Sequence, residues 1–350
     1  MSTTLAARRI IDGMHTYFDV CPESPDGRHL CCFRFDGPPL VHGTVLVCDR
    51  DGHDERTIAT CTGQAHVGAH QGWLDDDHLY FSADGHLHVA DADGRILQRM
   101  RGAVDTIDPA TRRGLVHTHL RRQVGDDPGE EAVWRLDLDN ERLVPLLDQA
   151  AASALCGDLS GVHGGDLRFK HAKWAPDGAT WFVVFTNEGR RDPSQRRVKV
   201  LIAADADGGN ARLVGDFGHH PGWLPDGSGI YAFAGGRVNR LLRWDRRGGA
   251  PTVLAETPGE GHPCISPDAA LVVFDCDAAD RTDLIVQDLA SGAHRVVATL
   301  PRPQAPWQTA HPPGRIGHAH PVWSRDGSRI YANSVEGERP ILIAIDRPSF

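Results

Sequence analysis

Residues 317–327, GHAHPVWSRDG, place His318 and His320 two apart and follow them with a Pro, a Trp and an Asp-Gly turn. In an extended segment, residues two apart project to the same side, so these two imidazoles could close on one ion. Imidazoles gathered in one place can hold a divalent cation, move protons near neutral pH, or do both. The same register recurs in HAKWAPDG (171–178), HPGWLPDG (220–227), HPCISPDA (262–269) and, more weakly, HQGWLDDD (70–77). His70, His171, His220, His262 and His320 therefore share one repeat position. A polar residue there in a tandem repeat often only hydrogen-bonds to the next unit, but five histidines converging on one rim favour chemistry. A nitrogen donor set without Cys suits Zn2+, Mn2+ or Fe2+, with His262, His318 and His320 as the favoured chelating set.

The elements that position these residues follow from the repeat. Each His segment is followed by a short apolar run, such as Thr180-Trp-Phe-Val-Val-Phe or Gly229-Ile-Tyr-Ala-Phe, then a polar turn and a second run. ESPDGRHLCCFRF (23–35) and the degenerate VDTIDPATRRGLVHTHL (104–120) complete the series. Unit starts near 20, 70, 104, 171, 220, 262 and 320 give seven units of four strands, with insertions at about 121–131, 149–169 and 300–317. This predicts an all-β fold, a seven-bladed β-propeller forming one domain over 1–350. The Asp-Gly pairs supply tight turns that need positive φ. The last unit has little room for an outer strand, and Arg9-Ile10-Ile11 is expected to supply it and close the ring.

Composition limits the partners. The chain of 350 residues carries 37 basic and 47 acidic side chains, a formal charge of −10, and no Lys/Arg block, which argues against nucleic-acid binding. An anionic small substrate then requires a locally cationic site. MSTTLAARRIIDG lacks the apolar core of a signal peptide, and no run is long enough to span a bilayer, so no membrane association and a cytoplasmic location are expected. The eight cysteines form no CxxC pair and read as reduced, mostly buried side chains.

His220, His262 and the His318-Ala-His320 pair, in that order on a seven-bladed propeller of this length, resemble the oligogalacturonate lyases, the propellers of polysaccharide lyase family 22. FTNEGRRDPSQRRVKV (185–200) is similar to that family's Glu-Gly segment leading to a substrate-holding arginine. The resemblance implies His262, His318 and His320 as metal ligands, Mn2+ as the ion with Zn2+ as the alternative, and His220 as Brønsted base. It implies Arg197 as the carboxylate-binding arginine, with Arg196 beside it. The family has a glutamine ligand three residues before the His-x-His pair, where this chain has Arg315. An arginine cannot ligate a cation, so the site would take a water, bind a different metal, or use Arg315 directly on the substrate, the role assigned to it here as to His171 and His70. The implied activity is β-elimination on short uronic-acid-containing oligosaccharides, with pectin fragments as the type substrate and an anionic oligosaccharide as the partner.

Such chemistry suits these residue types independently of the resemblance. The proton beside a uronate carboxylate must be removed while negative charge builds on the carboxyl oxygens, so a divalent ion and an arginine stabilise that charge and a neutral His takes the proton. The competing expectation is a non-enzymatic interaction propeller of the TolB kind, which shares the Trp-Ser-Pro-Asp-Gly register but has no reason to gather histidines. A propeller glycoside hydrolase would need converging carboxylates, whereas Asp177, Asp226, Asp268 and Asp326 sit in turns. No GxSxG elbow supports a peptidase. His15 and Tyr17 are further candidates for the same mouth, while His117 and His119 read as ordinary strand residues.

Overall fold

The computed structural model describes residues 5–38, 40–108, 110–126, 129–235, 239–301, 318–337 and 339–350. Alternating apolar runs separated by Gly- and Asp-rich turns form seven small antiparallel sheets, the blades of a seven-bladed β-propeller. Six sheets have four strands and one has three among the described residues. The three-stranded sheet is the first, built from His29–Phe35, His42–Asp49 and Arg56–Thr62. Its expected innermost strand survives only as isolated bridges, Met14 to Phe33 and Glu23 to Leu30. Pro22 and Pro25 lie in that segment and have no N–H to give a ladder.

Closure by the N-terminal strand is present. Arg8–Asp12 pairs antiparallel with Arg339–Asp346 and completes the last sheet as its outer strand, with Arg8 opposite Ala344 and Asp12 opposite Ile341. The turn glycines behave as expected, with φ of 72° at Gly27, 64° at Gly178 and 68° at Gly227 and Gly327. In the sixth unit Ala269 takes the same left-handed conformation, φ 57°, without a glycine's freedom. Among the described residues helix is confined to Thr118–Gln123, Gln149–Leu155 and a 3-10 turn at Gly164–Asp166, close to two of the expected insertions. Almost all of the third insertion, including Arg315, lies outside the described residues.

By internal contacts the chain divides into two compact units. The first comprises 1–83, 87–99 and 255–350, and the second 84–86 and 100–254. The first is built on Leu30, Cys32, Leu46, Val273, Leu284, Trp323, Tyr331 and Leu342, and on a second cluster around Phe33, Val45, Trp73 and Phe81. The second holds Trp181, Phe169, Phe185 and Ile202 in one cluster and Phe182, Leu201 and Trp244 in another. Three of the repeat Trp residues tie neighbouring blades together within their units, whereas Trp174 Nε1 has no hydrogen-bond partner among the described residues. Trp73 Nε1 donates to Pro22 O at 2.8 Å, Trp323 Nε1 to Cys264 O at 3.1 Å, and Trp223 Nε1 to Lys173 O at 3.1 Å. These bonds satisfy the indole while the ring fills the core.

Candidate metal centre

The repeat position of the histidines has an unusual backbone. His70, His171, His220 and His320 have φ of 49°, 51°, 52° and 47°, in the left-handed region. Pairing registers slip next to two of them, between Lys170 and Lys173 and between His219 and Gly222. These are bulges in the innermost strand, which re-aim a side chain away from the regular alternation. His tolerates positive φ better than most residues, so the backbone is a second reason for its recurrence. His262 is the exception and does not adopt positive φ.

In the first unit three of the expected residues come together. The ring centroids of His262 and His318 are 4.5 Å apart, those of His262 and His320 4.4 Å, and those of His318 and His320 5.6 Å. His318 and His320 meet although His320 leaves the extended region, so neighbouring strands rather than simple alternation bring them together. His262 and His320 are buried and His318 is partly exposed. His66 joins them, 4.7 Å from His320 and 5.4 Å from His318, and the Tyr17 ring lies 4.6 Å from that of His320. Phe18 packs 5.5 Å from His262.

A carboxylate absent from the sequence expectations organises this cluster. Asp275, on strand Leu271–Asp277, accepts the His262 backbone N–H at 2.6 Å and the His320 N–H at 3.1 Å. Its oxygens also lie 3.0 and 3.1 Å from His262 Nδ1. Two residues along the same strand face, Asp277 Oδ2 stands 3.4 Å from His318 Nδ1. Gly261 makes the approach possible, because a Cβ there would fall 1.6 Å from the Asp275 carbonyl oxygen and 2.5 Å from Oδ1. Nothing at the sequence level singles out His66, whereas Asp275 carries one signal, an Asp inside the apolar run LVVFDCD, where a buried charge needs partners.

Electrostatics keep the cluster in a ligating state. Burial pushes the pKa of His262 down, against the opposing pull of Asp275, and pushes that of His320 well down, aided by His262, His66 and His318. Burial alone would raise Asp275, yet His262 and His318 hold it below the ordinary carboxylate range. The neighbouring His15 is buried and pushed down to about 4 by desolvation. Neutral imidazoles beside an ionised carboxylate are the protonation states that metal binding requires. One ligand atom each from His262, Asp275 and His318 all lie within 4.8 Å of one another, the one such group among the described residues. Neither ring nitrogen of the buried His320 has a hydrogen-bond partner. Unsatisfied buried nitrogens are costly, and a cation is a fitting partner for them.

The other expected residues lie elsewhere. His70 is buried in the first unit, at the same repeat position but outside this ligand group. His220, Arg196, Arg197 and His171 belong to the second unit. His220 is partly exposed, with its ring 5.8 Å from that of His219. Arg197 and Arg196 diverge, with Arg197 Nη2 donating to Glu188 Oε1 at 3.2 Å and Arg196 Nη1 donating to the Asp158 carbonyl at 2.8 Å. Glu188 also takes Lys199 Nζ at 2.6 Å, and Arg168 donates to its carbonyl at 2.6 Å. His117 is no idle strand residue, since its Nε2 pairs with Asp105 at 2.8 Å and its Nδ1 caps the Thr118–Gln123 helix at Leu120 N.

Fold and site together define a seven-bladed β-propeller carrying a buried histidine–carboxylate cluster suited to a divalent cation. Along its whole length the chain is similar to an oligogalacturonate lyase in complex with manganese, with 19% identity, a TM-score of 0.69, and coverage of 100% of this chain and 98% of that one. An oligogalacturonate lyase from Vibrio parahaemolyticus gives 16% identity and a TM-score of 0.70, again over 100% and 98%. The Cps50 (Swd1) β-propeller domain of Myceliophteria thermophila gives 12% and 0.60 over 99% and 100%. At these identities the likeness establishes the fold. No protein-family model matches the chain, and no curated protein matches it. Among the described residues no helix is long and apolar enough to cross a membrane.

Proposed function

We propose that the protein is a metal-dependent lyase that cleaves short uronic-acid-containing oligosaccharides by β-elimination. The observation that carries this reading is the cluster of buried His262 and His320 with the partly exposed His318, with both His320 ring nitrogens unpartnered, on the fold of a manganese-bound oligogalacturonate lyase. His262, His318 and His320 would hold the ion, Mn2+ in the first instance and Zn2+ as the alternative, with Asp275 fixing the His262 ring and the His320 backbone. A divalent ion bound there supplies positive charge against the uronate carboxylate as negative charge develops on it.

The remaining roles belong to the chain itself. His220 accepts the proton from the carbon beside the carboxylate, the electron pair forms the new double bond, and the 4-linked oxygen departs. Arg197 presents its guanidinium to the carboxylate, a geometry that a lysine would not reproduce. Arg196, Arg315, His171 and His70 are assigned to substrate subsites. A cytoplasmic site of action on pectin-derived fragments is part of the same proposal. Two variants test it. His220→Ala should abolish turnover while manganese binding stays at one ion per chain by calorimetry, and His262→Ala should lose metal and turnover together. Full turnover by His220→Ala would remove it as the base.

A further inference from the structure

Three imidazoles leave a divalent ion short of the four or more donors it usually takes. Two carboxylates beside the cluster are already engaged. Asp275 accepts the backbone N–H groups of His262 and His320 and faces His262 Nδ1, while Asp277 accepts the Thr282 hydroxyl at 2.6 Å and faces His318 Nδ1. A further side-chain donor has to come from another element.

The connection between strands Arg56–Thr62 and Gly72–Trp73 supplies one. Gln64 and Gly68 exchange backbone hydrogen bonds of 2.8 Å, so Ala65, His66 and Val67 form the tip of a tight reverse turn. Gly68 closes it with φ 63°, where a Cβ would fall 2.7 Å from Gln71 Oε1 and 2.8 Å from Phe33 Cβ. The buried Gln71 then fastens the turn. Its Oε1 accepts the Ala69 N–H at 2.9 Å, its Nε2 donates to the Met14 carbonyl at 3.0 Å, and its own carbonyl accepts the Thr16 hydroxyl at 2.7 Å. The partly exposed His66 is thereby held against the segment that carries His15 and Tyr17.

The spacing of the rings is that of ligands to one ion. Imidazoles bound through nitrogen at about 2.1 Å, at angles of about 90–110°, have centroids about 4.5–5.5 Å apart. His66 keeps that spacing to His318 and His320, at 5.4 and 4.7 Å, as His262 does at 4.5 and 4.4 Å. The Tyr17 ring closes the group, edge-on to His66, His262 and His320 at 6.0, 5.8 and 4.6 Å. All of these residues belong to the first unit.

We propose that His66 is a fourth protein ligand of the divalent ion, completing a four-imidazole site with His262, His318 and His320. This rests on the metal reading of that cluster and extends it to a residue outside the repeat register. The nitrogens of His66 and His320 lie outside the close group of His262, Asp275 and His318, so ion binding turns both rings inward. A fourth nitrogen also sets the choice of ion, because imidazole favours Zn2+ over Mn2+ more strongly than a carboxylate does.

The test titrates Mn2+ and Zn2+ into the full chain by calorimetry. His66→Ala should bind Mn2+ about tenfold or more weakly, at least the loss that follows removal of a residue behind a ligand. Its metal-free melting temperature should stay within a few degrees of the parent, as for other substitutions at a turn tip. Pulsed EPR of the Mn2+-loaded protein should show one fewer coupled imidazole nitrogen. His66→Asp should recover Mn2+ binding in part and shift the Zn2+ to Mn2+ affinity ratio toward Mn2+, a change that a purely structural role would not produce. Unchanged Mn2+ affinity and an unchanged nitrogen count in His66→Ala would overturn the fourth ligand and leave the metal cluster standing. Loss of binding in both variants together with a collapse of the metal-free melting temperature would make His66 structural and overturn it as a ligand. No ion bound by the parent would remove the metal reading itself, and the role of His66 with it.

Discussion

His320 in the first unit and His171 in the second share one repeat register and nearly one backbone conformation, with φ of 47° and 51°. Their surroundings differ in the groups they gather. His320 is packed among His262, His66 and His318, and its N–H donates to a buried carboxylate. His171 is pushed down by burial and by Lys173 and Lys170 against the pull of Asp105, which accepts the N–H of the next residue, Ala172, at 3.0 Å. The repeat supplies a place to stand and a bulge that aims the ring, while residues on the following strands decide whether that ring joins other imidazoles or sits between lysines and a carboxylate. Asp275 is the clearest case, since it reaches back from strand Leu271–Asp277 to fix His262 and the backbone of His320.

The sharpest way to break this contrast is to remove the carboxylate. Asp275→Ala strips two buried N–H groups and an imidazole of their acceptor, and should cost about 3–5 kcal/mol of stability with loss of manganese binding, read by thermal melting with and without the ion. Asp275→Asn should fold better yet still bind manganese about 10–100-fold more weakly, because the amide cannot orient His262 in the same way. Gly261→Ala should resemble Asp275→Ala, as its Cβ would strike the Asp275 backbone. Manganese affinity unchanged in all three would show that the carboxylate is irrelevant to the cluster.

An acid titration of the metal-free protein is next in size. His15, neutral when folded, titrates near 4 in place of 6.5, so the unfolded chain takes up the proton first as the pH drops. Its contribution is intact above pH 6.5 and falls away between 6.5 and 4, by about 3 kcal/mol. Melting curves across that window should show the fall, and His15→Gln should flatten it. The smallest effects are expected at the left-handed positions of the second unit. His171→Gly should be within about 1 kcal/mol of the parent and leave manganese binding untouched, whereas His171→Val should be worse, because a β-branched residue resists positive φ. Equal tolerance of Val and Gly would mean that the bulge does not constrain the residue.

Much of the fold was legible from the chain because the repeat is written in local chemistry. Asp-Gly marks the turns, the Trp marks the blade contact, and Arg9-Ile10-Ile11 supplies the outer strand that the last sheet lacks. His262 and His320 were legible because they lie in register, and His318 because it stands two residues before His320. Asp275 and His66 were not, because their roles depend on which strands pack together and neither repeats. The left-handed conformation was also hidden. His at a bulge and His at a ligand position look alike in sequence, and only the backbone separates the two reasons for its presence. The missing inner strand of the first sheet was foreshadowed by Pro22 and Pro25.

Metal-dependent elimination is read out by the ultraviolet absorbance of the conjugated double bond that it forms. The protein would be incubated with a panel of oligouronides, including oligogalacturonates, as purified, after chelator treatment, and after resupply with Mn2+ or Zn2+. The expected result is a rise that chelator abolishes and the ion restores. A flat trace across the whole panel, from protein that binds no divalent ion, would contradict the claim and make the histidine cluster a feature of the fold alone.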